Sequence, residues 1–101
     1  YNVKYKYWTK EWFKNGERHR VDGPAIIDNF GNERWYLNGK LHNSNGPAVV
    51  EGKLTEWYIN DKLHRIDGPA VEYEYWDKWY LEDVEYTYPE YLKEMDKLFN
   101  S

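Results

Sequence analysis

Three histidines, His19, His42 and His64, stand at matched spacing and are the first residues in this chain that could do chemistry. Imidazole is the commonest protein metal ligand and titrates nearest neutral pH. In a sheet that adds one hairpin per repeat, equivalent positions lie two strand spacings apart, roughly 9–10 Å. Zinc holds nitrogen ligands at about 2.0–2.1 Å, so its ligands must sit within roughly 4 Å of one another. The three rings therefore cannot converge within one chain, and no metal is expected. A structural role is expected instead, with each imidazole bonding backbone in the loop before a Gly-Pro pair.

The neighbours of these histidines carry charge in a telling pattern. Arg20 and Asp22 occur together, as do Arg65 and Asp67, while the middle copy has Asn43 and Asn45. Both charges are kept or both are lost, which predicts a local Arg–Asp bridge pinning the loop. Leaving one partner alone would strand a charge. Catalysis has little to stand on. Ser44 and Ser101 are the only serines, cysteine is absent, and no G-x-S-x-G, phosphate-loop or G-x-G-x-x-G pattern occurs. Glu72 and Glu74, or Glu82, Asp83 and Glu85, sit in charged runs that read as solvated surface. The chain reads as a non-enzyme without a cofactor.

The elements that position these residues repeat. EWFKNGERHRVDGPAI from Glu11, RWYLNGKLHNSNGPAV from Arg34 and EWYINDKLHRIDGPAV from Glu56 align without gaps, and a fourth copy begins at Trp79 and decays. Trp12, Trp35, Trp57 and Trp79 mark steps of 23, 22 and 22 residues. Each copy holds a Trp-aromatic strand, an Asn-Gly or equivalent turn, and a short apolar strand after Gly-Pro. Strand alternation puts Trp35 and Leu37 on one face and Arg34 and Tyr36 on the other. The Trp row is expected to be the repeat core. The opposite row, with Phe13, Tyr36, Tyr58 and Tyr80, would form an aromatic ladder. Thr87 and Glu90 make a capping box, followed by an apolar stripe of Tyr91, Leu92, Met95, Leu98 and Phe99. The expected fold is mainly β: a solenoid-like, twisted antiparallel sheet of successive β-hairpins with a C-terminal capping α-helix. One domain spans 1–101, with about three and a half repeats over 8–86 and the helix over 87–100.

The unit Trp12-Phe13-Lys14-Asn15-Gly16-Glu17-Arg18-His19 resembles the MORN repeat, which builds a twisted antiparallel sheet of hairpins. Its continuation Arg65-Ile66-Asp67-Gly68-Pro69-Ala70 is similar to an HRxDGPA variant found in small proteins of tailed bacteriophages, large DNA viruses and some bacteria. The closing Trp79-Tyr80-Leu81, then Thr87 and Glu90-Tyr91-Leu92, resembles the end of those proteins. Residues 8–93 carry the resemblance. Arg20 stands where that family has Gly after His, and Asp61 and Asp83 stand at the turn glycine. The resemblance implies a binding or assembly module, with a viral or phage protein that inhibits a host defence factor as one such role.

Composition limits the alternatives. Among 101 residues, aromatics make up 20% and charged residues 32%, and no apolar run reaches the roughly 20 residues of a membrane span. Net charge is −4, with residues 1–50 net +3 and residues 51–101 net −7. An acidic chain is a poor nucleic-acid binder. The chain starts at Tyr1 and reads as trimmed or as part of a longer product, cytoplasmic in location, in the host cytoplasm if viral. A protein partner, a host factor, is the first expectation. Its anchors would be Arg34, Tyr36, Tyr58 and Tyr80, since interfaces favour Tyr and Arg. A nucleotide sponge using the aromatic and Arg face is the second reading. The third is a structural homodimer, paired through an edge strand around Val3–Trp8.

Overall fold

The structure, a computed structural model, describes residues 6–100. The first unit runs through β1 (Thr9–Glu11), β2 (Phe13–Lys14), β3 (Glu17–Arg18) and β4 (Ile26–Asp28). The second runs through β5 (Glu33–Arg34), β6 (Tyr36–Leu37), β7 (Lys40–Leu41) and β8 (Val49–Glu51). The third comprises β9 (Leu54–Glu56), β10 (Tyr58–Ile59), β11 (Lys62–Leu63) and β12 (Val71–Tyr73). The fourth is shorter: β13 (Trp76–Leu81), β14 (Val84–Tyr86) and the helix α1 (Tyr88–Asn100).

Strand pairing follows a single rule. β1, β4, β5, β8, β9, β12, β13 and β14 form one eight-stranded antiparallel sheet in that order, while β2–β3, β6–β7 and β10–β11 are small hairpins beside it. The division falls at tryptophan, whose peptide group serves both parts. Trp12, Trp35 and Trp57 donate N–H to Ala25, Ala48 and Ala70 at 2.8, 2.7 and 2.7 Å. Their carbonyls accept from His19, His42 and His64, each at 3.0 Å. Beyond each Trp the hairpin turns on left-handed residues: Asn15 and Gly16 have φ of 51° and 79°, and Asn38 and Gly39 repeat those values. Asn and Gly accept this conformation at little steric cost.

The molecule is thin, 60 × 38 × 18 Å, with a radius of gyration of 16.2 Å against roughly 13 Å for a compact chain of this length. A thin sheet has little interior. The fully enclosed hydrophobic residues are Ala25, Ala48, Ala70, Val49, Val71 and Tyr91. The expected tryptophan core is therefore corrected: Trp12, Trp35, Trp57 and Trp79 are half-buried, because a one-layer ribbon has nothing thick enough to enclose an indole. The proposed edge strand Val3–Trp8 lies outside the described residues up to Tyr5, and residues 6–8 carry no strand; among the described residues β1 is the outer strand of the sheet.

At the other end the repeat stops for an identifiable reason. In the first three units the N–H of Arg20, Asn43 and Arg65 donates to the Tyr36, Tyr58 and Tyr80 carbonyls of the next unit at 3.0, 3.1 and 3.2 Å. Thr87 holds the corresponding place, and its N–H goes to Glu90 Oε1 at 2.9 Å, while Glu90 N–H donates to Thr87 Oγ1 at 3.3 Å. This capping box diverts the propagating donor into a helix start. The same bond from the Thr87 backbone holds the Glu90 carboxyl below the ordinary carboxylate range. Tyr91 then lies against Trp79 at 6.5 Å between ring centroids, its hydroxyl donating to Arg65 O at 2.6 Å and accepting from Gly68 N–H at 3.3 Å. Of the helix's apolar stripe only Tyr91 is enclosed; Leu92, Leu98 and Phe99 are exposed. Tyr91→Phe should keep the fold but lower stability by about 1–2 kcal/mol, since it orphans a buried carbonyl and N–H, a loss that urea unfolding will measure.

Candidate functional site

Two of the three Gly-Pro loops, the first and the third, are built around an arginine wedge. The Arg20 guanidinium carbon lies 4.0 Å from the Trp12 ring centroid, and that of Arg65 lies 3.9 Å from Trp57. The other side of the guanidinium meets glycine: a Cβ at Gly23 or Gly68 would fall 2.7 or 2.8 Å from the Arg20 or Arg65 Cζ. Only glycine leaves this space. The fork is then satisfied locally. Arg20 Nε bonds Asp22 Oδ1 at 3.3 Å and Nη1 bonds Pro24 O at 3.2 Å; in the third unit the distances are 2.8 Å to Asp67 and 3.0 Å to Pro69 O, and Glu72 adds a contact at 3.0 Å. In the middle unit Asn43 Nδ2 donates to Pro47 O at 3.1 Å, and Asn43 Oδ1 accepts from Asn45 N–H at 3.1 Å. A neutral amide thus replaces the ion pair while bonding the same carbonyl.

The histidines do not bond their own loops, as the sequence suggested. His19, His42 and His64 Nδ1 accept the backbone N–H of Asn38, Asn60 and Glu82 at 2.9, 3.2 and 3.1 Å. Each ring therefore ties its unit to the turn of the next one. The Nδ1 lone pair of each ring is thereby committed to the backbone of the next unit. Among the described residues no three His, Asp or Glu side chains cluster as a metal site. Asp61 and Asp83 belong to the same joint. They occupy left-handed φ of 67° and 68°, and their carboxylates accept Leu41 and Leu63 N–H, both at 2.7 Å. These aspartates make a bond to the preceding unit that glycine at this turn position cannot make.

The aromatic row runs along the small hairpins and into the β13–β14 hairpin. Cross-strand partners are Phe13 with Arg18, Tyr36 with Leu41, Tyr58 with Leu63, and Tyr80 with Glu85. Arg18 lies 5.7 Å from the Phe13 centroid and 5.9 Å from that of Tyr36, and it pairs with Glu11 at 2.9 Å. Tyr36, Tyr58 and Tyr80 are half-buried, while Phe13 at the end of the row is exposed. Burial, then the Glu56 carboxylate, pushes the Tyr58 phenol up to about 12. Tyr80 is also raised, first by burial and then by Glu85, whose Oε1 accepts its hydroxyl at 3.3 Å. Arg34 differs from the other anchors: it lies in the main sheet, and its guanidinium pairs with Glu51.

An open groove of about 520 Å³ lies on the loop side, lined by Trp57, Ile59, Asn43, Ser44, Asn45 and Ile66. Ser44 stands there where the flanking loops have Val21 and Ile66. His64 also lines the groove, with its Nδ1 committed to the Glu82 N–H. No helix among the described residues is long and apolar enough to cross a membrane.

Two measurements test these assignments. Arg65→Ala should cost about 2 kcal/mol, from the lost indole stack and the orphaned Pro69 carbonyl, and Asp67→Ala less than about 1 kcal/mol, because its carboxylate faces solvent. A double-mutant cycle with no coupling between them would remove the bridge. Tyr58 binds its proton more tightly folded than unfolded, so its contribution is whole below the ordinary phenol value of 10.0 and is lost as pH rises to about 12. Unfolding free energy should fall across that interval, and Tyr58→Phe should make the fall shallower. Compared with family models, curated proteins and solved structures, the chain has no match.

Proposed function

We propose that this chain is a non-catalytic protein-binding repeat module, of the kind a virus or phage uses to hold and block a host factor. One observation carries the reading: Phe13 and Arg18, Tyr36 and Leu41, Tyr58 and Leu63, and Tyr80 and Glu85 stand as cross-strand pairs at the same place in four successive hairpins. Tyr presents an apolar ring with a polar tip and loses little rotamer freedom on binding, which suits it to a docking surface. The row is carried on a backbone joined unit to unit by hydrogen bonds, so its spacing is set before a partner arrives. The chemistry elsewhere agrees with binding rather than turnover, since the histidines and arginines are engaged within the fold.

The nucleotide-sponge reading draws less support. A phosphate needs cations free to meet it, whereas Arg18, Arg20, Arg34 and Arg65 are each paired with a carboxylate. The decisive experiment is native mass spectrometry of the protein isolated from host lysate, followed by reconstitution with the captured partner. Tyr36→Ala with Tyr58→Ala should weaken that complex at least about tenfold while circular dichroism stays unchanged, in keeping with paired aromatic hot spots. Unaltered affinity of the folded double variant would reject the aromatic row as the docking surface.

A further inference from the structure

The chain has three Asn-Gly pairs, Asn15-Gly16, Asn38-Gly39 and Asn45-Gly46, and the fold treats them differently. An Asn-Gly pair can cyclise without a catalyst, because glycine places no side chain beside its own backbone nitrogen. At the two hairpin turns the chain must first leave its left-handed conformation, and at any pair the glycine N–H must be free to lose its proton. At the second pair both movements are opposed by the preceding unit: Asn38 N–H donates to His19 Nδ1 and Gly39 N–H to Arg18 O, each at 2.9 Å. At the third pair Gly46 is buried, with the Asn43 amide nitrogen 3.4 Å from where its Cβ would be, and Asn45 N–H is held by Asn43 Oδ1 at 3.1 Å. At the first pair, the turn amides of Asn15 and Gly16 meet no acceptor of this kind among the described residues, and nothing lies within 4 Å of the Gly16 Cβ position.

We propose that Asn15 is a selective site of spontaneous succinimide formation, converting the tip of the first hairpin to aspartate or isoaspartate while Asn38 and Asn45 are protected. The Gly16 backbone nitrogen attacks Asn15 Cγ. A C–N bond forms, the side-chain amide nitrogen leaves as ammonia, and the proton given up by Gly16 N departs with it. Water then opens the imide. Cleavage of the new bond yields aspartate, and cleavage of the original peptide bond yields isoaspartate. Both products add a negative charge to the half of the chain that carries net +3. Isoaspartate also adds a backbone carbon that a two-residue turn cannot hold in register, so the hairpin bearing Phe13 and Arg18 opens. This inference does not depend on the binding reading above.

The test is incubation of the full chain, folded, at mildly alkaline pH, with peptide mapping by mass spectrometry and enzymatic isoaspartate labelling. Two retained hydrogen bonds correspond to roughly tenfold or more in the population of open turns, so Asn15 should convert at least about tenfold faster than Asn38. Asn45 should be as slow. In denaturant the three rates should converge, because the dipeptide is the same. His19→Ala should raise the Asn38 rate and leave the Asn15 rate unchanged. Equal native rates at Asn15 and Asn38, faster conversion at Asn45, or an intact Asn15 where the denatured chain converts would each overturn the proposal; the wild-type ranking decides even if His19→Ala does not fold.

Discussion

The peptide group of each repeat tryptophan faces two partners at once, and the rest of the structure depends on that division. Its N–H belongs to the alanine of its own Gly-Pro-Ala loop and its carbonyl to its own histidine. The chain therefore leaves the main sheet at Trp, makes a two-residue hairpin, and returns through the Gly-Pro loop to the same sheet. Arginine secures the return by lying between the indole and a glycine. In the first and third units this wedge gives each residue of the Gly-Pro-Ala block a role: Gly leaves room for the guanidinium, Pro offers it a carbonyl, and Ala is small enough to be enclosed; in the middle unit Asn43 bonds the same proline carbonyl.

Between units the joint is polar. A turn amide meets a histidine, a second turn amide meets a strand carbonyl, and in the later units an aspartate returns a bond to the strand it leans on. Nearest-neighbour coupling of this sort makes stability a sum over interfaces, and an array of that kind needs defined ends. The C-terminal end is closed chemically: Thr87 spends its N–H on Glu90, and Tyr88 and Tyr91 cover Trp79 where earlier units use a loop. Only one helix residue is enclosed in doing so, which leaves the outer part of the apolar stripe in solvent.

The same economy shapes the surface: the four arginines are paired with carboxylates, the imidazoles are held by turns, and the hairpin rows are mostly aromatic and aliphatic. Tyr58 and Tyr80 keep their phenol protons to higher pH than a free tyrosine because burial and the nearby carboxylates Glu56 and Glu85 disfavour the phenolate. They stay neutral hydrogen-bonding groups through the physiological range.

Much of this was legible in sequence because the signals are local. The 22–23-residue period, the Asn-Gly turns, the joint retention of Arg20 with Asp22 and of Arg65 with Asp67, and the Thr87–Glu90 box all act within a few residues. Local backbone preference alone determines them. What lay beyond reach concerns partners 18 to 21 residues away: the turns that His19, His42 and His64 hold, the strands that Asp61 and Asp83 bond, and the asparagine that Trp8 meets. Those distances are set by the offset between neighbouring hairpins, which no single unit encodes. Burial belongs to the same class. Alternation predicted separate Trp and Tyr rows, but a ribbon 18 Å thick encloses alanine and valine and leaves indoles half covered. Periodicity determined which residues share a face; only the assembled sheet decided how deep each face lies and which neighbour each polar group finds.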